Sequence, residues 1–221
     1  MYFRSKSNGS APAAPRQVAL FLCLALVLPI TGVQAVGFSN LEGGFYSYSP
    51  LGSEINAVFN DKQYMLQTSE QHNWAKLRKF YTARGFSPVW CRTDDKGHSV
   101  ALLQGYLEAS FQEGLNPVNY AITPNVSNCH ELDDQRMARF DIALTNAFFR
   151  YSKDVHIGRI DPRTADEEWH ITPARFNPVA TLESALKNNS LKEVLATLPP
   201  RHDEYLKLKD ALVKYREIAR D

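Results

Sequence analysis

AFFRYSKDVHIGRIDP, residues Ala147 to Pro162, closes the longest amphipathic pattern in the chain and decides its fold class. Reading back from it, Met137, Phe140, Leu144, Phe148 and Tyr151 recur at intervals of three and four, one stripe of a 3.6-residue helix. Asp134, Arg139, Asn146, Arg150 and Lys153 fall mostly outside that stripe. Past Tyr151 the pattern breaks. Gly158 offers a permissive backbone for a tight turn, and Pro162 cannot donate a backbone hydrogen bond, so the helix is expected to end near Asp154. A helix with two adjacent Phe and a Tyr at its buried end is a core element around which others pack.

At 221 residues, 44% hydrophobic and 22% charged, the chain suits one globular domain and argues against wholesale disorder or a multi-span membrane protein. Residues 1–35 read as a secretory signal peptide. Arg4, Lys6 and Arg16 precede or flank the apolar run Val18 to Leu28, Pro29 and Gly32 break it, and small residues lead to a cleavage position after Ala35. That run is shorter than the roughly 20 residues a membrane span needs, so an uncleaved inner-membrane anchor is the alternative and export to the periplasm the expectation. Cys23 leaves with the segment. Its removal takes three positive charges from a formal +1, leaving −2, and nothing recommends a nucleic-acid partner. Cys91 and Cys129 remain. In an oxidising compartment they permit one disulfide, with two unpaired thiols as the alternative.

Residues 36–68, with Gly37, Gly43, Gly44, Pro50 and Gly52 and no sustained period, read as an irregular N-terminal segment ahead of a helical domain at 69–221. Ser69 reads as the cap of a helix from Glu70 to about Thr82, ended at Gly85. Ser99 reads as the cap of the next, carrying Val100, Leu103, Leu107 and Phe111. After the central helix, Thr181 is read as the cap of a short helix, Leu191 to Leu198 form another, and Pro199-Pro200 stop it. Tyr205, Leu208, Leu212, Tyr215 and Ala219 then mark an amphipathic C-terminal helix. Strand-like alternation is nearly absent. The fold class is all-α, a single helical domain around the long central helix.

The histidines are scattered without a metal-ligand spacing, and the common nucleophile, phosphate and dinucleotide motifs are missing, so no catalytic residue, metal or cofactor is expected. Asp94-Asp95, Asp133-Asp134 and Asp166-Glu167-Glu168 could furnish an acid/base pair, but acids in polar turns and helix starts are usually solvated or aligned with the helix dipole. His156, Arg159 and Asp161 cluster in the turn after the buried helix, where they either tie the loop to helix ends or form a docking surface. Trp90 and Trp169 are core anchors of irregular segments or sugar-stacking surfaces.

FYTARGFSPVW (Phe80 to Trp90), GLNPVNY (Gly114 to Tyr120), AFFRYSKDVHIGRIDP and LPPRHDEYLKLKDALVKYREIA (Leu198 to Ala219) together, and in this order, resemble the N-terminal scaffold domain of the large Gram-negative L,D-transpeptidases. The resemblance spans nearly all of the helical region. In that family the scaffold precedes a peptidoglycan-binding module and a catalytic domain whose cysteine, in a Ser/Thr-His-Gly-Cys context, crosslinks stem peptides. Here the cysteines stand in Val89-Trp90-Cys91-Arg92 and Ser127-Asn128-Cys129-His130, so no catalytic residue carries over. The resemblance implies an exported, non-catalytic scaffold or docking module of the cell envelope, its partner peptidoglycan or a cell-wall enzyme. The alternatives are the front part of a transpeptidase whose catalytic domain is missing, and a carboxylate-dependent cell-wall hydrolase.

Overall fold

The computed structural model describes residues 49–220 apart from 68, 127, 161, 166–171 and 173. The signal-peptide reading at 1–35 lies outside the described residues, and so do Asp161, Asp166-Glu167-Glu168 and Trp169. All described residues belong to one compact unit, Phe45–Asp221. Among them the structure is helical throughout, without strands.

In order, the helices are α1 (Pro50–Asn60), α2 (Lys62–Gln67), α3 (Trp74–Ala83), α4 (His98–Glu108), α5 (Asp134–Ile157), α6 (Pro162–Ala165), α7 (Pro178–Lys187), α8 (Leu191–Thr197) and α9 (Asp203–Ile218). Short 3-10 turns at Ser69–Asn73, Ala109–Glu113, Pro117–Tyr120 and Cys129–Glu131 join them. The 24-residue α5 is the axis, with α1, α3, α4 and α7 packed on it. Its buried set is wider than one stripe. Besides Met137, Phe140, Leu144, Phe148 and Tyr151 it includes Asp141, Ile142, Thr145, Asn146, Phe149, Ser152 and Val155. A helix enclosed on most of its circumference must bury polar residues too, and these then need partners. The helix also runs past Asp154, because Val155 finds a place in the core; the Gly158 amide bonds the Asp154 carbonyl with φ at +99°.

The irregular reading of residues 36–68 is corrected at 50–67, which are helical. The Ser49 hydroxyl accepts from the Gly52 amide at 3.1 Å, Pro50 takes the first helical position, and Ile55, Val58 and Phe59 face inward at i, i+3, i+4. Phe59 meets Trp74 at 4.9 Å and Tyr81 at 5.5 Å between ring centroids. Burying each such side chain contributes about 1.5–3 kcal/mol, which explains why the glycines and Tyr residues upstream do not prevent a helix here.

Three caps also differ from the sequence reading. Residues 69–73 form a 3-10 turn, and the α-helix starts at Trp74 instead of Glu70. For α4 the capping oxygen is the Asp95 carboxylate, which accepts from the Ser99 amide at 2.9 Å, while Gly97 at φ +80° turns the chain into the helix. For α7 it is Asn177, which accepts from the amides of Val179 and Ala180; Thr181 lies inside the helix and returns its hydroxyl to the Asn177 carbonyl.

The C-terminal helix differs most. Nothing on α9 is fully buried, and Leu208 and Tyr215 are 69% and 71% exposed. Instead Tyr205, Lys209, Leu212 and Arg216 face the body, and the contacts are largely polar. The Tyr205 hydroxyl and Lys209 ammonium each reach a Glu113 oxygen at 2.6 Å, and Arg216 donates to the Phe111 carbonyl.

Candidate functional site

Two features stand out around α5: a buried polar knot on its inner side and a cationic groove along its outer side. The knot begins with Asp141, fully buried in the middle of α5. Its carboxylate accepts from the amides of Val89, Trp90 and Cys91 at 3.0, 2.8 and 2.8 Å and from the Tyr81 hydroxyl at 2.6 Å. The Trp90 indole N–H donates to the Thr145 hydroxyl at 2.9 Å. The bend at residues 89–91 gives its amides no backbone partner in a helix or ladder, so the two oxygens of one carboxylate accept from all three. Burial pushes the Asp141 carboxyl up, and the hydrogen bonds from Tyr81 and the three amides pull it back. The Tyr81 hydroxyl lies well above its ordinary value, first through burial and then through the adjacent Asp141 charge.

The knot continues into a covalent link. Cys91 and Cys129 form a disulfide with Cα atoms 5.4 Å apart, fixing the 89–91 segment to the 3-10 turn that precedes α5. Trp90 is fully buried beside Phe148, with its indole nitrogen engaged by Thr145, so its face is not open for sugar stacking.

Of the acid pairs, Asp94 binds Arg92, which holds its carboxyl below the usual range, and Asp95 caps α4. Asp133 caps α5 through the Arg136 amide at 2.9 Å. These are capping and surface duties. In the turn after α5, the His156 ring nitrogen lies 3.1 Å from the Leu198 carbonyl and its ring packs 4.8 Å from Phe176, tying the helix end to the segment after α8. Arg159 is half-exposed and 3.9 Å from the Asp154 carboxylate. Among the described residues no cluster of His, Cys, Asp and Glu could hold a metal ion, and no helix is long and apolar enough to cross a membrane.

The groove is a feature that the sequence reading lacks. It is a depression of about 310 Å³ lined by Arg136, Arg139 and Arg150, with Tyr64, Tyr120 and Ile122 opposite and Ala143 and Ala147 among its lining residues. Arg150 also lines a second depression of about 490 Å³ with Lys76, Lys153 and His72. Arg139 lies 4.7 Å from the centre of the Tyr64 ring and Arg150 5.8 Å from that of Tyr120. The signal was present in the sequence: positions 136, 139, 143, 146, 150 and 153 lie on one face of a helix.

The chain is thus an all-helical domain, pinned by one disulfide and a buried carboxylate, with a cationic groove along its central helix. More particularly, the chain belongs to the Scaffold domain family, whose family model matches residues 75–212. No curated protein and no solved structure matches it.

Proposed function

We propose that this is an exported docking module of the L,D-transpeptidase scaffold type, acting without chemistry of its own in peptidoglycan crosslinking or remodelling. The observation that carries the reading is the run of four ordered motifs between Phe80 and Ala219, three of them wholly inside the Scaffold domain match and the fourth largely so. The Cys91–Cys129 disulfide supports the periplasm as its location, since such bonds persist in oxidising compartments. Asp95 and Asp133 serve as caps, Asp94 as a surface partner of Arg92 and Asp141 as a core anchor, which favours docking over hydrolysis by these carboxylates.

The test is co-sedimentation of the chain with purified sacculi, followed by analysis of their muropeptides. Docking predicts retention on the sacculi with an unchanged muropeptide profile. Release of soluble muropeptides would replace this reading with hydrolysis, and absence of retention would remove peptidoglycan as the partner.

A further inference from the structure

We propose that the groove along the outer face of α5 binds the carboxylates of peptidoglycan stem peptides, with Arg139 and Arg150 as the gripping residues. The proposal rests on the docking reading above and names its site and ligand chemistry.

The charge balance of the groove carries the argument. Arg136 is neutralised in part by Asp133 at 3.1 Å. Arg139 and Arg150 have no carboxylate partner among the described residues, and neither do Lys76 and Lys153. The Arg139 Nε is sealed from solvent and has no hydrogen-bond acceptor among the described residues. A guanidinium N–H left this way is costly to the folded state; the Nε itself is out of a ligand's reach, and an incoming anion meets the terminal N–H groups of the guanidinium. Tyr64 and Tyr120 hold the two guanidinium groups over their rings, which limits the side-chain freedom lost on binding.

Spacing selects the ligand. Eleven residues of helix place the Cα atoms of Arg139 and Arg150 about 16 Å apart along the axis, close to the span of five extended residues. Between them the lining includes Ala143, Ala147 and Ile122. A compact phosphate would need the cations to converge on one point. An extended peptide, with carboxylates at intervals and both amides and aliphatic groups between them, matches separated cations and a floor that mixes Ala143, Ala147 and Ile122 with Asn146 and Thr123. Lys76 and Lys153 extend the positive field beyond Arg150, offset in part by Asp154 in the same depression, and attract the same ligand at longer range.

The experiment measures binding of the full chain to purified sacculi, comparing wild type with Arg139→Gln, Arg150→Gln, the double variant, and a Lys207→Gln/Lys214→Gln control on α9. Each single arginine variant should weaken binding about tenfold and the double variant should abolish it, while the α9 control binds as wild type. Arg139→Lys, which keeps the charge but loses the fork, should fall between wild type and Arg139→Gln. Sacculi whose carboxylates have been amidated should not retain the wild-type chain. Thermal melts of every variant separate loss of binding from loss of fold. Wild-type retention with unchanged binding of the well-folded arginine variants would overturn the groove assignment and leave the docking reading standing. Failure of wild type to bind sacculi would overturn both. Equal binding to amidated sacculi, or preference for phosphatidylglycerol vesicles, would overturn the carboxylate assignment.

Discussion

Asp141 is one side chain on which several parts of the fold converge. It is a carboxylate in the interior, where an ion without partners would cost several kcal/mol, and it is retained because it accepts from three consecutive amides and a tyrosine. Asp141→Ala leaves those amides without an acceptor and should cost about 3–5 kcal/mol. Asp141→Asn keeps the shape but replaces one acceptor oxygen with a donor, and should cost about 2–4 kcal/mol. Urea denaturation measures both, and an Asp141→Ala variant within about 0.5 kcal/mol of wild type would show that the knot is dispensable. Sequence could not reveal this role. An acid in a charged helix reads as solvated, and only the fold brings residues 89–91 across to meet it. The Arg139 and Arg150 positions were legible as a face of α5, yet their Tyr64 and Tyr120 neighbours come from segments whose placement no local pattern fixes.

At the scale of elements, what could be read and what could not separate by the physics of each helix. The centre of α5 was readable because its apolar spacing is strong and the Gly158 turn punctuates it. The first helix was hidden by the glycine-rich stretch before it, although Ile55, Val58 and Phe59 already show the spacing of a helix face. The caps differ from the sequence reading where a second polar residue competes, as Asp95 does with Ser99 and Asn177 with Thr181. The C-terminal helix kept its predicted existence but not its predicted face, since polar ties to Glu113 rather than apolar burial orient it. Glu113→Ala should therefore release α9 selectively. Amide exchange along 203–218 should rise about tenfold while the melting temperature moves little, because α9 contributes no buried residue. Unchanged exchange in α9 would mean that Leu212 and the Arg216 contact with Phe111 suffice. The disulfide acts between elements in a different way. It closes a 38-residue separation, for which the chain-entropy model gives about 4 kcal/mol. Cys91→Ser/Cys129→Ser should lose an amount of that order in urea unfolding, and a loss below about 1 kcal/mol would show that Asp141 alone holds the segment.

For the whole molecule, the distribution of tyrosines makes stability sensitive to alkaline conditions. Tyr81 is raised by burial and by Asp141; Tyr120 is raised by burial and by its hydrogen bond to Asp154; Tyr151 is raised by burial and by the Glu113 charge; Tyr205 is raised by burial and its bond to Glu113. Each therefore holds its proton more tightly in the folded chain than in the unfolded one. Below the unfolded value of about 10 both states are neutral and the stabilising contribution is fully present. Above it the unfolded chain ionises first, so stability falls as pH rises toward the folded values. For fully buried Tyr81 the loss between pH 10 and 11 is about 1 kcal/mol; Tyr205, partly exposed and screened, counts for less. Urea midpoints measured from pH 8 to 11 should hold level and then drop. Tyr81→Phe should be less stable at pH 8, through loss of the hydroxyl shared with Asp141 and Thr145, yet should fall less steeply above pH 10. A variant that keeps the wild-type slope would place the alkaline sensitivity elsewhere, and a flat wild-type profile to pH 11 would contradict the raised tyrosines altogether.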